Sequence, residues 1–98
     1  MQVLQVKTVE DCFDGSFIKE FLLSSIITEA FVKKLGETGE LDYFPDFPRP
    51  FFRIERKDSY QIKGVLKSKT FRVIFNHQCN SDCVSNLTNF INNMFKGA

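Results

Sequence analysis

The residues best suited to chemistry stand close together near one end of the sequence. His77, Cys79 and Cys83 supply one imidazole and two thiols within residues 76–83. Nitrogen and sulfur ligands of this kind bind Zn²⁺, and Cys12 is a conceivable fourth ligand. The segment is predicted to lead from the last strand into the last helix, where a helix N-terminus lowers the pKa of a nearby thiol. The sequence therefore yields two hypotheses: a metal site at His77, Cys79 and Cys83, and a reactive thiol at Cys79.

The spacing of these residues supports neither hypothesis well. Structural zinc sites favour two closely spaced cysteine pairs, whereas Cys79 and Cys83 form one pair at the limit of that spacing, so Cys12 or Asp82 would have to complete the ligand set. The Cys-x-x-Cys redox spacing is absent, and no arginine follows Arg72 to make a phosphatase-type loop. Cys83 also falls on the apolar side of its predicted helix, where cysteine usually behaves as a small buried hydrophobe. A thiol or metal-binding protein is therefore the alternative function, not the leading one.

Charge is divided unevenly along the chain. Residues 1–48 contain four Lys and nine Asp or Glu, a net charge of −5, whereas residues 49–72 contain eight Lys or Arg and two acids, a net charge of +6. Arg53, Lys63 and Arg72 are predicted to lie on the solvent side of the hairpin strands. Such a basic sheet face attracts phosphates or an acidic protein surface.

The sequence leaves the partner of this basic face open. The net charge of the whole chain is only +1, and no aromatic pattern of a nucleic-acid-binding sheet is recognisable, which argues against nucleic acid. The plain alternative is a solvated face whose lysines keep strand edges from pairing with other chains. A third alternative is that the acidic half of one molecule meets the basic hairpins of another, which would support a homodimer or a complex.

Residues 17–35 are predicted to form a first helix that ends at Gly36. When successive residues are placed 100° apart, the directions of its apolar side chains nearly cancel, so this helix is apolar on every side. A small domain cannot cover such a helix completely, and we expect Leu23, Ile27 and Phe31 to contact another molecule, most simply a second copy of the chain. The alternative is a central helix covered by its own sheet, the second helix and loops.

Alternation of polar and apolar residues predicts five strands. They cover residues 2–9, 40–44, 51–57, 60–67 and 70–76, and a stiff proline-rich connection occupies 45–50. A second helix is predicted from Ser81 to about Lys96, with Asn80 or Ser81 as its cap. The core side of the last three strands is predicted to carry Phe52, Ile54, Ile62, Gly64, Leu66, Phe71, Val73 and Phe75. Their solvent side is predicted to carry Arg53, Glu55, Lys57, Gln61, Lys63 and Arg72.

These elements define a single α+β domain over residues 1–98. The order β-α-β-β-β-β-α gives a mainly antiparallel five-stranded sheet with two helices on one face. This order is similar to a single repeat of the TATA-binding-protein-like fold. The resemblance is one of topology, rests on no shared motif and implies no function.

Composition places the chain among ordinary globular proteins, with 43% hydrophobic and 26% charged residues. The apolar runs are far too short to span a membrane, no export signal is recognisable, and three cysteines are too few for a disulfide framework, so we expect a cytoplasmic protein. No pair of charged residues is singled out for acid–base catalysis. The sequence therefore favours a small non-enzymatic binding or assembly module that self-associates through its first helix, and it leaves any cofactor open.

Overall fold

A computed structural model describes residues 2–11, 15–57, 59–77, 79 and 81–93. Within these residues, six strands form one sheet that is accompanied by two α-helices. The elements in chain order are β1 (Val3–Asp11), β2 (Phe17–Leu23), α1 (Glu29–Leu35), a 3₁₀ turn (Gly36–Thr38), β3 (Glu40–Phe44), β4 (Phe51–Arg56), β5 (Tyr60–Val65), β6 (Thr70–Phe75) and α2 (Ser81–Asn93). The strand order is β1-β2-β6-β5-β4-β3, and all neighbouring strands are antiparallel. The expected α+β class with an antiparallel sheet is confirmed.

The predicted helix over residues 17–35 is wrong in its first half, which forms strand β2. This strand is hydrogen-bonded to β1 on one side and to β6 on the other. Phe21 and Leu23 are buried in the core, whereas Ile18 and Glu20 lie on the opposite face of the sheet. The segment therefore alternates with a period of two residues. The sequence does not show this alternation, because the two faces of the strand both carry apolar residues, for example Ile18 and Phe21.

Helix α1 is short, and the sheet has six strands instead of the predicted five. The helix begins after Thr28, whose Oγ1 accepts a hydrogen bond from the Phe31 backbone N–H at 3.2 Å. Lysines lie in its last turn and Gly36 caps its C-terminus, which confirms the predicted end of the helix. The predicted order β-α-β-β-β-β-α is wrong at its start because two strands precede the first helix. The TATA-binding-protein-like topology is not confirmed.

The other elements follow the sequence pattern closely. The strand predicted at 2–9 corresponds to β1, that at 40–44 is β3 with the same bounds, and those at 51–57, 60–67 and 70–76 are β4, β5 and β6 with slightly shorter C-terminal ends. The last helix begins at Ser81 as predicted, whereas the candidate cap Asn80 and the predicted end near Lys96 lie outside the described residues. No helix in the described part of the chain is long and apolar enough to cross a membrane.

The core lies between the sheet and the two helices. Its largest buried side chains include Phe21, Phe52, Phe71 and Phe75 from the sheet, Phe31 and Leu35 from α1, and Ile91 from α2. The rings of Phe21 and Phe71 stack with their centroids 5.1 Å apart, and the ring of Phe31 lies 6.1 Å from that of Phe71. Gly64 provides space for this packing, because a Cβ atom there would lie 2.6 Å from the Phe52 ring. Both helices contribute to this one core, and therefore cover the same face of the sheet.

The three residues predicted to meet a partner through the first helix are buried instead. Leu23, Ile27 and Phe31 are 0%, 1% and 0% exposed. Ile27 lies in the loop between β2 and α1, where its backbone N–H donates to Ser68 O at 2.8 Å and its carbonyl accepts from the Lys67 N–H at 2.9 Å. The expected exposure of these side chains is therefore wrong, because the sheet and the β5–β6 turn of the same chain cover them.

The last helix is attached to the first strand by a side chain on its polar face. Asn92 Oδ1 accepts a hydrogen bond from the Val3 backbone N–H at 2.8 Å. On the same helix, the Asn93 side-chain amide donates to Asn89 O at 2.8 Å. The Asn92 side chain thus holds the edge strand β1 against the last helix.

Candidate anion-binding face

The face of the sheet that points away from the helices, called here the open face, forms a groove of about 810 Å³. Its side chains alternate along the strands with those of the core. Residues that line the groove include Ile18, Glu20, Phe44, Phe51, Arg53, Lys63, Val65, Thr70, Arg72 and Ile74. Small-molecule sites in proteins have volumes of roughly 300–1,000 Å³, so the groove is large enough for such a ligand.

Charged residues form a single row across the open face, called here the charged row. In order across the six strands, its members are Lys7, Glu20, Arg72, Lys63, Arg53 and Asp42, each directly opposite the next. The central three are cations on the adjacent strands β6, β5 and β4. Directly opposite residues in antiparallel strands have Cβ atoms roughly 4.5–5.5 Å apart, and like charges at that separation destabilise the sheet. The middle of the charged row is therefore a site of mutual repulsion.

Two of the three central cations are paired with acids in the same row. Arg53 Nη2 lies 2.9 Å from Asp42 Oδ2, and Arg72 Nε lies 3.3 Å from Glu20 Oε2. The hydrogen bond to Asp42 and the charge of that carboxylate raise the pKa of Arg53 above its usual value. Lys63 stands between the two arginines and forms no ion pair with any residue that the structure describes. The uncompensated positive charge of the groove is thus centred on Lys63.

Apolar side chains flank the charged row on both sides. On one side, Phe51 stands opposite both Phe44 and Val65, and the Phe44 and Phe51 rings stack with centroids 4.6 Å apart. Phe47, which is 53% exposed, lies 5.2 Å from the Phe51 ring at the end of this cluster. On the other side, a pair of isoleucines from β2 and β6 stand opposite each other. The groove is therefore cationic in the middle and apolar on the Phe51 side, and its opposite side is apolar where the two isoleucines stand.

The sequence pattern placed Arg53, Lys63 and Arg72 on the solvent side of the sheet, and the structure confirms this placement. Their alignment in one row was not foreseen, because register between strands is not visible in the sequence. Phe51 was also missed, although its position two residues before Arg53 places both on the same face. Glu20 was missed because its segment was interpreted as a helix. The role of the three cations in binding a partner stays a prediction.

The thiol and histidine segment does not form a metal-binding cluster in the part of the chain that the structure describes. Cys79 is buried, and its Sγ donates a hydrogen bond to Ser59 O at 3.2 Å. Burial, followed by interaction with Cys83, raises the pKa of the Cys79 thiol to about 11. Cys83 is half-buried against the core, His77 is exposed, and Cys12 lies outside the described residues. At neutral pH the Cys79 thiol is therefore protonated, unlike a reactive thiolate.

Comparison with other proteins adds no family or relative to these observations. No protein-family model matches the chain, and neither a curated protein nor a solved structure matches it significantly. The functional interpretation therefore depends on the geometry of the open face.

Proposed function

We propose that the protein is a non-catalytic binding module whose open face binds an anionic partner through Arg53, Lys63 and Arg72. One observation carries this proposal: three cations stand in direct register at the centre of the charged row. Their repulsion lowers the stability of the free protein, and an anion placed among them would remove that cost. Binding energy that depends on this relief is specific for negative charge.

The surroundings of the three cations also favour binding over simple solvation. The side chains of Arg53 and Arg72 are exposed, and the acids paired with them restrict their positions. An arginine guanidinium has five N–H donors, so one contact with a carboxylate leaves donors for a second anion. A face that only kept the protein soluble would need neither this register nor the apolar flanks.

The proposal is tested by mapping anion binding on the ¹⁵N-labelled protein by NMR. The probes are dodecanoate, a single-stranded oligodeoxynucleotide and a glutamate-rich peptide, each titrated at low salt. We expect at least one probe to shift the amide signals of Arg53, Lys63 and Arg72, and the shifts to weaken as added salt screens the charges.

The matched variants are Lys63→Gln and Lys34→Gln, which remove the same charge from opposite sides of the molecule. Lys34 is an exposed residue of α1 and does not line the groove. Lys63→Gln is expected to weaken binding and so to reduce the shifts at a given probe concentration, and Lys34→Gln is expected to leave them unchanged. If no probe shifts these amides, or if the shifts lie on the helical face, the open face is a solvated surface and the proposal is wrong.

We also propose that the chain self-associates, but through a surface other than the predicted first helix. The helix that was apolar on every side does not exist, so it gives no reason for a dimer. Strand β1 gives a different reason, because it is an edge of the sheet and carries Leu4, which is 61% exposed, and Val9, which is 38% exposed. An edge strand offers unpaired backbone N–H and C=O groups to another strand, and the two exposed apolar residues stand where the register of β1 against β2 shifts. We propose β1 as the contact between two copies of the chain.

A cytoplasmic location is proposed on the state of the thiols. Cys79 and Cys83 are both free cysteines. Free thiols persist in a reducing compartment, whereas secreted proteins tend to oxidise them. Fractionation of cells that express the tagged full chain tests this location, and recovery outside the cytoplasmic fraction would contradict it.

A further inference from the structure

We infer that the open face binds a small amphiphilic monoanion, that is, one carboxylate-type head group carried on an apolar body. This inference rests on the proposed function and specifies the ligand of the same groove. It follows from the number of uncompensated charges, the position of the neighbouring acids and the apolar flanks.

The charges of the groove match a single anionic group. Asp42 and Glu20 already pair with Arg53 and Arg72, which leaves the charge of Lys63 to be balanced. One carboxylate at Lys63 balances that charge, whereas nucleic acid carries one negative charge at every phosphate along each strand. A polyanion would therefore place most of its charges where the groove offers no further cation.

Acidic residues beside the charged row exclude additional negative groups. In the neighbouring row, Glu55 stands opposite Glu40 on one side and Gln61 on the other. Both glutamates are exposed. An acidic peptide or a nucleic-acid strand that crossed the sheet from Lys63 toward this row would meet like charges. A ligand with one charged end avoids them if its body extends in the other direction.

That other direction is apolar. Val65, Phe51 and Phe44 lie opposite one another on three adjacent strands, two residues along β5 from Lys63. Neighbouring strands are about 4.8 Å apart, so these side chains provide an apolar surface about 10 Å wide at a distance of about 7 Å from the cationic centre. Phe47 extends this surface at its exposed end. A hydrocarbon or aryl body on this surface would leave water while its head group stays at Lys63.

The donors around Lys63 suit one head group. The described ion pairs use Nη2 of Arg53 and Nε of Arg72, so other guanidinium N–H groups remain on each side. Charge-assisted hydrogen bonds from an ammonium and two flanking guanidinium groups would hold a carboxylate at the centre of the row. The acids that pair with the arginines act here as positioning residues.

The inference is tested by isothermal titration calorimetry of the full chain with three probes of matched structure. Dodecanoate, kept below its critical micelle concentration, has both the head group and the body. Acetate has only the charge, and dodecanol has only the body. We expect one dodecanoate to bind per chain, with acetate and dodecanol at least about tenfold weaker. Affinity is also expected to rise from octanoate to decanoate to dodecanoate.

Two variants locate the site. Lys63→Gln is expected to weaken dodecanoate binding by about tenfold, because it removes the charge that the head group neutralises. Lys34→Gln removes an equivalent exposed lysine from the helical side and is expected to leave the affinity unchanged. Circular dichroism and thermal unfolding of both variants establish that each retains the fold.

Each contrary result has a distinct meaning. If dodecanoate does not bind but the oligodeoxynucleotide or the glutamate-rich peptide does, and Lys63→Gln abolishes that binding, the ligand class is wrong and the proposed function stands. If dodecanoate binds equally well to the wild type and to Lys63→Gln, the apolar body alone is recognised and the inference is wrong. If no anionic probe binds, both the inference and the proposed function are wrong.

Discussion

Cys79 illustrates how burial decides the chemistry of a single residue. From the sequence, its position before a helix favoured a thiolate of low pKa. In the structure it is 8% exposed, and its proton is held in a hydrogen bond to Ser59 O. Burial disfavours the charged thiolate, and interaction with Cys83 adds to this effect, so the pKa of the thiol is raised to about 11. Burial is the largest cause of the shift, and it acts in the direction opposite to the one that the sequence position favoured.

The raised pKa of Cys79 predicts a dependence of stability on pH. Between about pH 9 and pH 11 the unfolded chain loses this thiol proton and the folded chain keeps it, so the free energy of unfolding falls as the pH rises. The decrease attributable to Cys79 is about 2–3 kcal/mol over this range, and its contribution is fully present below pH 9. Urea unfolding of the wild type and of Cys79→Ala at several pH values measures it.

The variant separates Cys79 from other groups that titrate in the same range. Lysines and tyrosines are common to both proteins, so the difference between their two pH profiles reports the thiol. We expect the wild type to lose more stability than Cys79→Ala above pH 9. Parallel profiles would show that the thiol has an ordinary pKa in the folded protein.

Which face a residue occupies could be predicted from the sequence, whereas its neighbours across the strands could not. The alternation of Phe52, Arg53 and Ile54 was sufficient to place the arginine toward solvent. The same rule applied one residue earlier would have placed Phe51 beside it. By contrast, the alignment of Arg53 with Lys63 depends on the hairpin register, which the turn geometry sets.

At the level of elements, Thr28 marks the boundary that the sequence pattern missed. A threonine hydroxyl that accepts from the third backbone N–H of a helix is a typical N-terminal cap. The predicted helix over residues 17–35 would instead place Thr28 in a helix interior. Substitution at this position therefore distinguishes the two descriptions by the sign of its effect.

We expect Thr28→Ala to lower the free energy of unfolding by about 1 kcal/mol, because it removes the cap of α1. Urea unfolding of the wild type, Thr28→Ala and Thr28→Ser provides the measurement. Serine retains the hydroxyl and is expected to retain most of the stability. In a continuous helix, alanine would be more favourable than threonine, so a gain in stability from Thr28→Ala would contradict the observed boundary.

Local strand pairs were predictable, and the distant one was not. Strands β4, β5 and β6 are joined by tight turns, and their alternation is clear over each segment. Strand β2 pairs with β6, and Phe17 stands opposite Phe75 from the other end of the chain. Its apolar residues fitted a buried helix or a buried strand equally well, and only this distant partner decides between them.

At the level of the whole molecule, acidic and basic parts of the sequence form ion pairs with each other within one chain. Glu20 and Asp42 come from the acidic half of the sequence, and they pair with Arg72 and Arg53 from the basic segment. The expectation that opposite halves of two molecules attract each other therefore loses part of its support. What is left for a second copy is the edge strand β1 with its exposed Leu4 and Val9.

Light scattering at several protein and salt concentrations tests this contact. We expect a dimer whose mass does not fall with added salt, because apolar side chains and backbone hydrogen bonds would hold it together. Leu4→Lys is expected to give a monomer. Ile26→Lys is the matched control, since Ile26 is 44% exposed but lies outside β1, and it should leave the dimer intact. A wild type that is monomeric at all concentrations would refute β1 as the dimer contact.

The pairing of β2 with β6 also governs how the chain reaches its native state. The N-terminal hairpin of β1 and β2 cannot dock until β6 is available, because Phe17 to Leu22 pair with Thr70 to Phe75. Closing so long a loop early in folding is costly in entropy, and proteins rich in such non-local pairs fold slowly. During synthesis on the ribosome, Phe21 and Leu23 therefore stay uncovered until most of the chain has emerged. In that interval we expect the exposed apolar residues and unpaired strand edge of the hairpin to be open to contacts with other chains.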